Sequence, residues 1–294
     1  MNAPLAAPEL DRLFATLRPK LHRYCARMTG SAIDGEDVVQ AALVKAIEAL
    51  PRAGMIERPE AWLFRIAHNA ALDFLRGRAR REAIFPDVDP EAVGDPGNPI
   101  EDRQTVAASL QTLMRLPAVQ RSAVILMDVM GYSLQEIAPI VEATVPAVKA
   151  ALHRGRGRLR QLAEAPEDRP LPTLAESQRA LLAAYVERFN ARDFDAIRDL
   201  LADEVKLEMV ARLRLDGRAE VGRYFTNYAA MQGWRLVAGM VEGHPAALAY
   251  LPDGPAGTPA YFIILQWAEG RLIGIRDFYY ARYAIESADS MLPV

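Results

Sequence analysis

The sequence predicts a multidomain chain, with two all-α blocks followed by one α+β block. Apolar residues recur near a helical period through about 9–82 and again through 104–162. Two breaker segments separate the blocks. Residues 83–103 hold Pro86, Pro90, Pro96 and Pro99 with Gly94 and Gly97, so neither helix nor strand persists there. Residues 163–173 (Ala-Glu-Ala-Pro-Glu-Asp-Arg-Pro-Leu-Pro-Thr) form a second, stiffer linker. From 174 to about 284 the pattern changes to two helical stretches followed by strand-like runs.

In the first block, helices are expected over about 9–28, 36–50 and 59–80, with Gly30, Pro51 and Pro59 at the breaks. Arg65, Asn69, Asp73 and Arg76 stand at i, i+4, i+8 and i+11, one stripe of the third helix. Trp62 lies a turn earlier, and Arg76, Arg78, Arg80 and Arg81 cluster at its end. An aromatic beside cations suits single-stranded DNA, where bases stack and the backbone follows positive charge. A core role for Trp62 competes with that reading. Glu36, Asp37 and Gln40 open the second helix, where acids favour the helix dipole and also suit docking to a basic partner.

The second block has a helix-turn-helix rhythm. Ser133 N-caps a short helix with Glu136 as its capping-box partner, and Thr144 caps the next. That helix carries Lys149, Arg154, Arg156, Arg158 and Arg160 with His153 and no carboxylate across 143–163. Lys149, His153, Arg156 and Arg160 align on one face, backed by Val145, Val148, Leu152, Leu159 and Leu162. A helix entered this way can lie in a major groove while its cations hold phosphates.

In the third block, helices at about 174–191 and 194–202 precede strands near 205–210, 234–241, 260–267 and 272–280. Glu269-Gly270 forms a tight hairpin turn. An antiparallel sheet curled around helices is expected.

Composition narrows the function. The 294 residues carry a net charge of −3 and an ordinary apolar fraction of 51%. The cations are concentrated in two clusters, and between them runs an acidic stretch with Asp87, Asp89, Glu91, Asp95, Glu101 and Asp102. Such sign asymmetry points to a nucleic-acid partner. Cys25 is the single cysteine, so an internal disulfide is excluded. The four histidines show no metal-ligand spacing, and neither metal nor cofactor is expected. No run approaches membrane-span length and no signal segment opens the chain, so a cytoplasmic location without membrane contact is expected.

Asp34 to Gln40 (Asp-Gly-Glu-Asp-Val-Val-Gln) and Pro59 to Arg76 resemble region 2 of extracytoplasmic-function sigma factors of the sigma-70 class. Leu116 to Arg121, Gly131 to Ala138 and Val145 to Arg156 resemble region 4. The resemblance implies that Glu36, Asp37 and Gln40 dock on core RNA polymerase. It implies that Arg52, Arg58, Trp62, Arg65, Asn69, Asp73, Arg76 and Arg80 read and open the −10 element, with base capture at loop 51–58. Thr144, Lys149, His153, Arg154, Arg156 and Arg160 would enter the −35 groove, and linker 83–103 would thread the polymerase channel. Pro139 and Glu142 stand where the family has a helix former and a turn glycine. Ala150 and Ala151 replace a polar residue and an arginine, which predicts weak −35 base readout.

Ala184 to Val205 resembles the opening of a SnoaL-like domain, the cone of helices and curved sheet shared with ketosteroid isomerases, and Gly217 to Phe225 fits its middle helix. Tyr185, Asp216, His244 and Asp277 are the pocket candidates, but no spacing singles out a pair, and turn or hairpin-edge roles are the plainer reading. The Asp-Gly-Gly-Gly motif of some related extensions has no counterpart near Glu208 to Arg212. The domain is therefore expected to regulate without catalysis, either binding a small ligand or packing on the sigma domains. The resemblance leaves open a separate anti-sigma partner. The alternatives are a SnoaL-like cyclase or isomerase fused to a DNA-binding module, and a polymerase-independent helix-turn-helix regulator.

Overall fold

In the computed structural model the described residues are 7–84, 110–163, 173–230, 233–255, 257–288 and 291–293. They belong to two compact units that divide between Asp168 and Arg169. Residues 85–103 of the acidic segment and 164–172 of the second breaker lie outside the described residues.

Unit one is helical. α1 (Ala7–Thr29), α2 (Ala32–Ala49) and α3 (Pro59–Ile84) come first. α4 (Leu110–Met114) and α5 (Ala118–Val124) follow, and α5 widens into a π turn at Ile125–Val129. α6 (Leu134–Ile140) and α7 (Val145–Ala163) complete the unit. α2 starts at Ala32 rather than 36, because the Ser31 side chain accepts from Asp34 N at 3.0 Å and caps it there. Gly35 is consequently inside the helix. A Cβ on it would come within 2.6 Å of Ala26, so the glycine lets α1 and α2 approach closely. α3 runs past its expected end near 80 to Ile84.

One apolar core joins these helices, drawing Leu21, Tyr24, Leu63 and Phe64 from α1 and α3 together with Leu113, Val124, Ile137 and Leu152. Burying a side chain such as Leu21 or Leu63 contributes about 1.5–3 kcal/mol each. Arg121 of α5, only 5% exposed, sits within this core. It donates to the carbonyls of Met28, Leu116 (2.9 Å) and Met114 (3.2 Å), the first two of them buried.

Unit two begins with α8 (Glu176–Asn190) and α9 (Phe194–Leu200), then β1 (Leu201–Met209), β2 (Leu213–Asp216) and α10 (Arg218–Ala230). β3 (Arg235–Val241), β4 (His244–Tyr250), β5 (Tyr261–Ala268), β6 (Arg271–Asp277) and β7 (Met291–Pro293) complete it. The sheet order is β2-β1-β6-β5-β4-β3-β7. β4 was absent from the sequence reading. Its Pro245 and three alanines are poor strand formers, yet Glu242-Gly243 (φ 52° and 83°) turns the chain just as Glu269-Gly270 (φ 49° and 75°) does. The all-antiparallel expectation fails at one pair: β1 and β6 run parallel, with Leu207 opposite Ile275. The meander β3–β6 works back across the sheet one hairpin at a time, and its last strand meets β1 running the same way. α8 and α10 cover the sheet and share a core of Tyr185, Phe189, Tyr224, Phe225, Tyr261 and Ile275.

Candidate nucleic-acid interface

On α2, burial separates the three residues expected to dock on a partner. Glu36, expected to dock, is wholly buried and paired with Arg18, eighteen positions upstream, in a core ion pair. Asp37 and Gln40 stay half-buried. They share a helical stripe with Val44 (54% exposed) and Ile47 (55%), two large apolar side chains left at the surface that the sequence reading did not single out.

α3 has two faces. Leu63, Phe64, Ala67, Ala70 and Ala71 turn into the core, while Arg65, Asn69, Asp73, Arg76 and Arg80 are exposed as their spacing predicted. Trp62 is half-buried against the core. Asp73 is tied at 2.9 Å to Lys45 and at 2.9 Å to Arg76, and the Lys45 hydrogen bond holds its carboxyl below the usual range. Arg52 and Arg58 are exposed ahead of the helix.

α6 and α7 form the expected helix-turn-helix. Ser133 and Glu136 make the full capping box, and Thr144 Oγ1 accepts from Ala147 N at 3.4 Å. Glu142 takes the turn glycine's place with φ 53°, a left-handed conformation that disfavours an L side chain. Thr144, Lys149, Ala150, His153 and Arg154 are exposed on α7. Arg156, expected on that face, is half-buried and turned to an acid. Its Nε and Nη2 reach Asp128 at 3.1 and 2.5 Å, on the π turn after α5, so it braces the hairpin from within. Arg160 is also half-buried, and the outward cations are Lys149 and Arg154 with His153 between them.

The two halves of unit one meet at Tyr132. Its ring packs edge-on against Phe64 at 5.4 Å, and its hydroxyl donates to Glu60 at 2.6 Å. Burial and that carboxylate push the phenol's pKa up. Arg58 lies 3.8 Å from Glu136, and Arg65 lies 3.9 Å from Glu142.

In unit two, Asp216 and His244 are exposed, whereas Tyr185 and Asp277 are buried, so the edge-residue reading fails for those two. Asp277 Oδ2 accepts from Tyr224 and Tyr228 hydroxyls at 2.6 and 2.7 Å, and Oδ1 accepts from Tyr279 N at 2.8 Å. Burial raises its pKa, while the phenol hydrogen bonds pull the other way. Tyr224 and Tyr228 stand one helical turn apart on α10, a spacing that the sequence offered and the reading passed over. The buried Tyr185 hydroxyl and Trp267 Nε1 have no hydrogen-bond partner in the structure.

Comparison with known proteins follows this division. The family models Sigma-70 region 2, Sigma-70 region 4 and SnoaL-like domain match residues 13–81, 109–159 and 182–273. The ECF RNA polymerase sigma factor SigG of Mycobacterium tuberculosis is 28% identical over 290 residues, covering 89% of this chain and 78% of that protein. SigM of the same organism is 34% identical over 152 residues, covering 52% of this chain and 76% of SigM. Among solved structures, the extracytoplasmic function sigma factor SigJ of Mycobacterium tuberculosis aligns with a TM-score of 0.36 at 20% identity, covering 91% of this chain and 95% of that one. The SigM match and the ordered region 2 and region 4 models place the chain in one family: it belongs to the ECF RNA polymerase sigma factors, and it carries a C-terminal SnoaL-like domain.

Proposed function

We propose that this chain directs core RNA polymerase to promoters through two separate DNA contacts. The observation that carries the reading is a pair of exposed cationic helix faces, each backed by a packed core: Arg58, Arg65, Arg76 and Arg80 at α3, and Lys149 with Arg154 at α7. α3 and loop 51–58 take the opened −10 element, where Trp62 offers a stacking surface and the cations hold the backbone. α7 enters the −35 major groove with Thr144, Lys149, His153 and Arg154, while Arg156 holds the hairpin's shape. Asp37, Gln40, Val44 and Ile47 supply the polymerase-docking stripe in place of Glu36. The functional division proposed is 9–82 for region 2, 104–162 for region 4 and 174–284 for the regulatory domain. A cytoplasmic location follows from the polymerase partner. Among the described residues no helix is long and apolar enough to cross a membrane. Family membership also argues for an anti-sigma partner.

With Ala150 at the centre of the exposed α7 face, the cations grip phosphate more than they read bases. Alanine at Arg154 is expected to weaken duplex binding uniformly across sequences and to lower the salt slope by about 1. A change in sequence preference at constant overall affinity would overturn this assignment.

The SnoaL-like domain is proposed to regulate without turnover. Asp277 already accepts three hydrogen bonds in a closed core, which leaves it poorly placed as a base. The unpartnered Tyr185 hydroxyl keeps a second reading in view, a cyclase- or isomerase-type pocket. Turnover of any candidate ketone that disappears in Asp277→Asn would favour that second reading.

A further inference from the structure

α7 carries one cationic stripe, and the structure divides it. Lys149, His153, Arg156 and Arg160 share a face by spacing, yet the first two are exposed and the last two half-buried. The division falls where Arg156 meets Asp128. We propose that Asp128 is a positioning residue for the −35 contact. Through Arg156 it fixes the rotation of α7 about its own axis and withholds one cation from DNA phosphate. The inference rests on the reading of α7 as the −35 helix.

The π turn is what places Asp128. α5 ends at Val124, and beyond it Met130 N donates to Ile125 O at 3.0 Å, five positions back. A turn widened in this way holds one residue more than an α turn, which rotates the side chains after it by about 100° from helical register. The Asp128 side chain lies in that turn and is only 1% exposed. A carboxylate so enclosed needs an opposite charge, and Arg156 supplies it. Nε reaches Oδ2 at 3.1 Å and Nη2 reaches Oδ1 at 2.5 Å, so a planar fork meets both oxygens of one carboxylate. A two-point pair fixes orientation as well as distance.

One residue earlier, Gly155 sets the other coordinate. A Cβ there would lie 2.7 Å from Val124 Cγ2, so the glycine sets how closely α7 approaches α5, and Arg156 then sets its rotation. Arg154, exposed, stands two residues from the clamp, about 200° around the helix, and is aimed outward by it. Arg156 itself lies about 20° from the direction of Lys149 and about 10 Å farther along the axis. Freed from Asp128, it would extend the row of phosphate-gripping cations. Asp128 ends that row at Arg154.

The test titrates full-length chains with two fluorescein-labelled duplexes across a salt series. One carries the −35 segment of a promoter selected with the holoenzyme, and the other is scrambled. Asp128→Asn is isosteric and still accepts from Arg156. It is expected to bind the scrambled duplex about three- to fivefold tighter at low salt and to steepen the salt slope by about 1, as one added phosphate contact does. Adding Arg156→Gln should return the slope to the wild-type value, because no cation is then freed. Arg156→Lys keeps the charge but loses the fork, so the weak preference for the selected duplex should fall toward unity at an unchanged slope. A wild-type slope in Asp128→Asn, a steeper slope that persists in the double variant, or an undiminished preference in Arg156→Lys overturns the proposal. Equal weakening of both duplexes in all three variants, the result of damage to the fold alone, also overturns it. Failure of the −35 reading looks different: the wild-type chain would then show no preference between the duplexes, and Lys149→Ala would leave its salt slope unchanged.

Discussion

Two glycines on α7, two residues apart, are predicted to respond to the same substitution with opposite signs. Gly155 is buried where α7 crosses α5. A Cβ on it would lie 2.7 Å from Val124 Cγ2 and 3.2 Å from the Gln120 carbonyl oxygen, whereas carbon atoms pack best near 3.5–4.0 Å. The two helices would have to separate by most of an ångström, or Val124 would have to leave its rotamer. Replacing glycine by alanine in a helix gains about 1 kcal/mol of propensity, but overpacking of this kind costs about 1–3 kcal/mol and the neighbour is backbone as well as side chain. The balance for Gly155→Ala is a loss of about 1 kcal/mol, or more if the backbone oxygen cannot give. At Gly157 the nearest atom is the mobile end of Arg160 at 3.8 Å, so Gly157→Ala keeps the full gain, about 0.5–1 kcal/mol. Chemical denaturation read through amide exchange of α5 and α7 isolates this part of the chain. Gly155→Ala should also weaken duplex DNA binding, since it tilts the helix proposed to enter the groove. If Gly155→Ala matched or exceeded Gly157→Ala in stability, the close α5–α7 packing described above would be wrong.

The remaining predictions concern other parts of the two units. Arg121→Ala removes the donor from two buried carbonyls and one half-buried one and should destabilise unit one by about 2–5 kcal/mol, with Arg121→Lys losing roughly half of that, as measured by exchange of buried α1 amides. Burial pushes His68 down to about 4, where it stays neutral and bonded to Tyr24 at 2.7 Å. The unfolded chain therefore binds more protons between that value and the ordinary 6.5. Stability from this group is complete above about 6.5 and falls by about 3 kcal/mol as pH drops toward 4, a slope that His68→Gln should abolish in pH-dependent denaturation. Ala211, at φ 65° in the β1–β2 turn, is strained for an L residue, so Ala211→Gly should stabilise unit two by about 0.5–1 kcal/mol in a thermal melt. A loss of stability on that change would contradict the left-handed turn.

Much of the architecture was legible because it is locally encoded. The 3.6-residue period, the Ser133–Glu136 capping box and the Glu269-Gly270 turn all rest on residues within a few positions of one another. The exposed α3 stripe was legible for the same reason. What escaped depended on distant partners. Glu36 looks like a surface acid until Arg18 is folded against it, and Arg156 belongs to the DNA stripe by spacing until the π turn brings Asp128 within reach. Asp277 ends a strand near a turn and resembles an edge residue, yet Tyr224 and Tyr228, about fifty positions earlier, enclose it. The parallel β1–β6 pairing likewise follows from the path of the whole meander rather than from either strand's pattern.

Reconstituted transcription tests the central claim most directly. Core RNA polymerase is combined with the full-length chain on promoters selected from a random library, and start sites are mapped. Initiation is expected at defined positions, lost when Lys149 and Arg154 are changed together to alanine, and lost separately when Trp62 and Arg65 are changed. A chain ending at Asp168 should initiate at the same positions with altered efficiency. Initiation indifferent to either pair, or none on any selected promoter, would contradict the two-point grip.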